Sequence, residues 1–201
     1  MTLTIYGITQ SRARRNLWLA EELGIAYERR LVAQKDAPTS AELGRVNPFR
    51  HIPAIEDDGL ALFESLAINL YLAKKHGGPL APRDLKEDAL MTAWALAANG
   101  EFEPAALEVL LHRLYLPAEQ RDPAKVDAAF ERLKRPLDAL EAHLKAQGHL
   151  VGGRFTVADL NLVAVLGMLM PAVERLAAWP TTLAWIKAAQ ARPAFKKAQG
   201  L

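Results

Sequence analysis

Residues 51–65 read HIPAIEDDGLALFES, and the order of signals in this stretch decides what kind of sheet the chain can build. Asp57-Asp58-Gly59 is a turn signature, because an Asp-Gly step supplies the positive φ values of a tight hairpin. Ala54-Ile55-Glu56 and Leu60-Ala61-Leu62-Phe63 flank it, so two antiparallel strands are expected. Pro53 opens the first of them, where a proline forfeits one ladder hydrogen bond and is tolerated at a strand entrance. A cis bond at Ile52-Pro53 would be a deliberate feature, and a turn there leaves the N–H and C=O of Ile52 unpaired. Such an edge can hold a short, extended, peptide-like ligand as an added strand. Ser65 stands at or near the N-cap of a helix expected over 64–75, with Leu66, Leu70 and Tyr71 at helical spacing. The N–H groups and positive dipole end of that helix suit a carboxylate, and Glu64 suits an ammonium group; together they suit an amino-acid head group.

Upstream of this stretch, Leu3-Thr4-Ile5-Tyr6 reads as a strand, 12–23 as a helix with Ala13, Leu17 and Ala20 on one face, and 27–31 as a second strand. Gly24 is placed to end that helix in the left-handed conformation. Short connections make this a βαβ start with a parallel strand pair. A weaker helical stretch over 40–45 leads to Pro48, completing an α/β unit over 1–76. Residues 77–85, GGPLAPRDL, read as a linker. Beyond it strand signals stop, and helices are expected at 86–116 with a kink at Pro104, and at 123–146, 156–176 and 180–198. The reading is therefore α/β plus all-α, with a helical bundle over 86–201. Its best local signal is Phe155-Thr156-Val157-Ala158-Asp159-Leu160, where Thr156 and Asp159 suit a capping box and Phe155 with Leu160 a hydrophobic staple.

Composition narrows the function classes. With 51% hydrophobic and 24% charged residues among 201, the chain reads as an ordinary globular protein. Net charge is +2, and outside Arg12, Arg14 and Arg15 the cations are scattered among acids, which argues against a nucleic-acid groove. The most apolar segment, 160–173, is interrupted by Asn161, Gly167 and Pro171 and falls short of the roughly 20 residues a membrane span needs, so a buried helix is expected. The N-terminal residues show no basic region followed by an apolar core, so no secretory signal is expected and cytoplasm is the default. Without cysteine there is no disulfide, thiolate metal site or cysteine nucleophile, so any thiol chemistry must use a substrate's thiol. No Gly-rich phosphate loop, GxSxG or HExxH occurs. The five histidines (His51, His76, His112, His143, His149) form no pair at helical ligand spacing, so no metal is expected.

Ser11-Arg12-Ala13-Arg14-Arg15 poses a question of its own. Three cations sit at the positive end of a helix dipole, each costing a few tenths of a kcal/mol when exposed, unless an anion docks there.

Taken together, TLTIYG with SRARRNLWLAEELGIAYE, then NPFRHIPAIEDDGLALFESLAINLYLAKKHG, then GGRFTVADLNL in an all-helical half, resemble a cytosolic glutathione S-transferase, of the bacterial, serine type, over essentially the whole chain. The resemblance implies a thioredoxin-like N-terminal domain that binds glutathione, a helical domain shaping a pocket for a hydrophobic electrophile, and a homodimer. It implies no cofactor beyond glutathione as co-substrate, and no nucleic-acid or membrane partner. Residue by residue, Ile52 beside Pro53 is similar to the segment that pairs with the cysteinyl backbone of glutathione. Glu64 and Ser65 match the pair gripping its γ-glutamyl end, and His51 stands where the glycyl carboxylate is often met. Phe49 resembles an aromatic that plugs the partner subunit, and equally fits ordinary core. For the catalytic hydroxyl, Ser11 is similar to the serine of serine-type members. Counting back from Leu23-Gly24 points to Gln10, Tyr6 matches the tyrosine of tyrosine-type members, and Thr9 is a third alternative. Met91, Trp94 and Phe102 are available to line the electrophile pocket.

Lowering a thiol pKa from about 8.5 by two units takes about 2.7 kcal/mol. One hydroxyl donor to a charged sulfur supplies about 1.5 to 3 kcal/mol and a helix terminus about 0.3 to 1 kcal/mol. Two alternatives use the same scaffold: a non-catalytic binding or interaction module, and a glutathione-dependent isomerase or peroxidase.

Overall fold

A computed structural model describes residues 3–200; positions 1, 2 and 201, the outer limits of the two expected domains, lie outside the described residues. Four short strands, β1 (Leu3–Tyr6), β2 (Tyr27–Arg30), β3 (Ala54–Asp57) and β4 (Leu60–Phe63), form one sheet in the order β2-β1-β3-β4. The parallel pair runs from Leu3↔Tyr27 to Tyr6↔Arg30, and β3 lies antiparallel to β1 from Thr4↔Glu56 to Tyr6↔Ala54. The hairpin closes through Asp58 at φ 49° and Gly59 at φ 84°, the two positive values of the turn that the Asp-Gly step favours.

Helix α1 (Ala13–Leu23) ends where Gly24 takes φ 64°, ψ 27° and donates to the carbonyls of Ala20 and Glu21. Helix α2 (Ala41–Val46) is capped by the Ser40 side chain, which accepts from the N–H of Leu43. Helix α3 (Ser65–His76) packs against α1. Tyr6, Val32, Leu43, Val46, Ile52 and Ala54 share one cluster, while strand alternation turns the buried Ile5 and Ile55 to the opposite face of the sheet. This is the expected order βαβ, helix, ββ, helix, and it matches the thioredoxin-like domain that the resemblance implies.

The second unit, Arg83–Gln190, is built of helices. They are α4 (Leu85–Ala97), α5 (Glu103–Leu110), α6 (Pro123–Gln147), α7 (Val157–Leu166) and α8 (Pro180–Gln190). The expected single kinked helix over 86–116 is instead α4 and α5 with wide π turns at Ala98–Phe102 and Leu111–Tyr115. Pro104 sits in the first turn of α5, where its missing N–H removes no hydrogen bond. The expected helix over 156–176 tightens into a 3₁₀ run at Gly167, with Ala172 next to Pro171 outside helical geometry. By length and composition the whole run Val157–Ala178 could cross a membrane, yet 67% of its most apolar window is buried inside the protein, as in a core helix. Thr156 donates to Asp159 through both its N–H and its hydroxyl, at 2.9 Å each.

Pro193 divides the expected helix over 180–198 into α8 and α9 (Pro193–Gln199). This break also alters the expected division of the chain. The segment from Ala191 onward packs with the residues up to Pro82 rather than with the helical unit. Phe195 meets Trp18 edge to face at 4.9 Å, and Arg192 donates two hydrogen bonds to Glu22 at 2.6 and 2.7 Å.

Candidate functional site

Strand β1 runs into Gly7, whose φ of 133° few side-chain-bearing residues adopt. A Cβ at this position would lie 2.8 Å from that of Ala13, 3.3 Å from that of Ile52 and 3.5 Å from the Ser11 hydroxyl oxygen. The strand end, the start of α1 and the turn at Ile52 therefore meet within one methyl group's width. The Ser11 hydroxyl donates to the carbonyl of Ile8 at 2.7 Å and accepts from the N–H of Ala13 at 3.1 Å, so it forms part of the opening of α1. No acid in the first turn of α1 offsets the positive end of its dipole.

The other hydroxyl candidates stand elsewhere. Tyr6 is 3% exposed, and its hydroxyl donates to the Glu56 carboxylate. Burial, then the hydrogen bond and negative charge of Glu56, push the phenol well above its ordinary range. Thr9 accepts from Arg29 at 3.0 Å, toward β2, and Gln10 is exposed.

The Ile52–Pro53 bond is cis, and Ile52 lies beyond the β1–β3 register, which ends at Ala54. The loop before it is organised by Asn47, which is buried. Its amide donates to the carbonyl of His51 at 2.7 Å, and its side-chain oxygen accepts from the N–H of Phe49 at 3.0 Å. His51 itself is exposed. Phe49 is 64% exposed and rests edge-on against Phe63 at 5.7 Å.

Glu64 is exposed at φ 70°, ψ 107°, a sparsely populated conformation for a residue with a side chain, and α3 starts immediately after it. Ser65 is buried. Its hydroxyl oxygen accepts from Arg15 Nη1 at 3.2 Å, and its carbonyl accepts from Asn16 Nδ2 at 2.8 Å. Asn16 Nδ2 also donates to Asn69 Oδ1 at 2.7 Å, and Asn69 Nδ2 donates to the carbonyl of Arg15 at 3.3 Å.

Ser11 and Ile52 thus meet at Gly7, with Pro53 next in the chain, while Ser65, preceded by exposed Glu64, is tied to α1 by Arg15 and Asn16. The sequence reading overlooked Gly7, Asn16, Asn47 and Asn69 as contributors. A usable signal existed for Asn69, a polar residue inside the apolar run Leu66–Leu72, since a buried amide needs partners. In the helical unit, Met91 at 0% and Phe102 at 3% exposure are core, and Trp94 packs against His143 at 5.1 Å. Burial thus removes Met91 and Phe102 from any open pocket.

Comparison with known proteins bears on this geometry. The family models for the glutathione S-transferase N-terminal and C-terminal domains match residues 1–74 and 102–193. Glutathione S-transferase 3 of Zea mays is 34% identical, covering 97% of this chain and 92% of its own length. Glutathione transferase F7 from Populus trichocarpa superimposes with a TM-score of 0.87 at 30% identity over 98% of both chains. Glutathione S-transferase I from maize, in complex with an atrazine glutathione conjugate, gives 0.87 at 32% identity over 98% of this chain and 96% of that one. These relatives are plant proteins, so the expected bacterial type draws no support from them. Two domain models in the right order and a relative one-third identical along nearly its whole length leave one assignment: the chain belongs to the glutathione S-transferase family.

Proposed function

We propose that this protein is a serine-type glutathione transferase in which Ser11 holds the thiolate of glutathione for attack on a soft electrophilic carbon of a hydrophobic small molecule. The thiol proton leaves to solvent, the sulfur lone pair forms the new C–S bond, and a leaving group departs or a double bond takes up the electrons. The observation that carries this reading is the junction at Gly7, where a helix-opening hydroxyl stands beside a strand end that can pair with a tripeptide. Ile52 and Pro53 fix the cysteinyl backbone, Glu64 and Ser65 hold the γ-glutamyl head, and exposed His51 faces the glycyl end. Tyr6 takes no part, because its proton is committed to Glu56.

The energetics demand more than one donor. To reach sulfur the Ser11 proton gives up the carbonyl of Ile8, exchanging a neutral hydrogen bond of about 1 kcal/mol for a charged one of about 1.5 to 3 kcal/mol. The net gain, about 0.5 to 2 kcal/mol, falls short of the roughly 2.7 kcal/mol that a two-unit shift needs. The positive end of α1 must supply the rest, and a partly buried terminus contributes up to about 2 kcal/mol. Side chains and backbone alone account for the chemistry, with no cofactor.

The same reading makes the protein a cytoplasmic homodimer, with exposed Phe49 as the apolar contact offered to the partner. Retention on immobilised glutathione, followed by turnover of an aryl halide, tests the function. Retention without turnover would indicate a carrier, and absence of retention by the folded protein would overturn the proposal.

A further inference from the structure

Arg15, Asn16, Ser65 and Asn69 are each at most 4% exposed, and all four lie in the contact between α1 and α3. Two helices need only apolar side chains to pack, and burying a guanidinium carries a desolvation cost that apolar packing avoids. What this arrangement adds is register, since sliding either helix by one residue would break at once the bonds that join Arg15 and Asn16 to Ser65 and Asn69. It also dictates the direction of one proton. A guanidinium only donates, so the Ser65 hydroxyl oxygen is the acceptor in its bond with Arg15, and the serine's own O–H is left to point elsewhere.

We infer that Arg15 is a positioning residue for glutathione: from behind α3 it occupies the acceptor side of Ser65, so that the Ser65 hydroxyl is presented as a donor to the ligand's γ-glutamyl carboxylate. Arg15 lies four residues after Ser11, whose hydroxyl accepts from the N–H of Ala13 at the start of α1, so the opening turn of one helix carries the cation behind the head-group site and holds the sulfur's donor beside it. The carboxylate then meets a hydroxyl polarised by a buried positive charge, at the positive end of α3. This inference rests on the proposed contact between Ser65 and glutathione.

The test is a double-mutant cycle of Arg15→Met and Ser65→Ala, with Arg15→Lys as the conservative variant, reading KM for glutathione, kcat and circular dichroism. Arg15→Met in the wild-type background should raise KM roughly ten- to hundredfold, the size of one charge-assisted contact, with a smaller change in kcat. Arg15→Lys should recover most of that loss. In the Ser65→Ala background Arg15→Met should add less than about threefold, because the cation then has nothing to orient. Fully additive losses, or an unchanged KM in folded Arg15→Met, would overturn the inference while leaving Ser65 as a ligand contact. Should Ser65→Ala alone leave glutathione binding unchanged, the proposed contact itself fails and the inference with it. If Arg15→Met does not fold, Arg15→Gln, which removes the charge and keeps a polar side chain, completes the cycle in both backgrounds, a KM rise confined to the Ser65 background supporting the inference and an equal rise in both, or none in either, overturning it.

Discussion

Ser11 and Tyr6 are both hydroxyl residues near the end of β1, and their partners separate them. Ser11 bonds to backbone groups within its own turn, so its proton can swing to an incoming thiolate at the cost of one neutral hydrogen bond. Burial first, then the hydrogen bond to the Glu56 carboxylate and its charge, raise the pKa of Tyr6, the opposite of what a donor to a thiolate requires. Ser11→Ala is therefore expected to raise the pKa of bound glutathione by about half a unit to one and a half units and to lower kcat/KM by up to roughly thirtyfold, the size of its net contribution. Tyr6→Phe should leave that pKa in place. Ultraviolet absorbance of the bound thiolate against pH measures both. Gly7 makes a separate claim on stability: a methyl group there meets Ala13 at 2.8 Å, in a backbone conformation unsuited to it. Gly7→Ala should cost about 2 to 4 kcal/mol in urea denaturation, from overpacking and strain combined.

Between elements, buried carboxylates do much of the joining. Glu141, on α6, is 6% exposed and accepts from the N–H of Thr181 at 3.1 Å and from the N–H and hydroxyl of Thr182 at 2.8 and 2.9 Å, capping the start of α8. Burial alone would raise its pKa, but the hydrogen bonds from Thr182 and Thr181 outweigh it and hold the carboxyl at about 2, below the ordinary 4.5. A depressed folded-state pKa means stability that is complete above about 4.5 and is lost as pH falls toward about 2. Glu141→Gln should accordingly flatten the stability profile across that window and lower stability above it, as measured by denaturation midpoints at a series of pH values. Local signals for such joints were only half visible. Thr156 and Asp159 lie three residues apart and announce their cap in the sequence, whereas Glu141 and Thr182 are 41 residues apart and do not.

At the scale of the whole molecule, the proposed homodimer turns on the exposed ring of Phe49. On the proposed homodimer, Phe49→Asp is expected to give a monomer in sedimentation velocity where the unsubstituted protein gives a dimer, while its circular dichroism stays native; a monomer in both cases would overturn the proposed contact. The alternative that Phe49 is ordinary core conflicts with its 64% exposure. The chain's own pattern determined the order of elements, the hairpin at Asp58-Gly59, the stop at Gly24 and the cap at Thr156, because each depends on residues a few positions apart whose φ preferences and hydrogen bonds are local. Tertiary structure alone decided that Arg15 is a buried partner of Ser65 rather than a solvated cation, that Tyr6 is spent on Glu56, and that α9 returns to α1 through Arg192 and Glu22. These contacts join residues 50 to 170 positions apart. Desolvation and partner geometry set their strength, and neither is defined until the chain has folded.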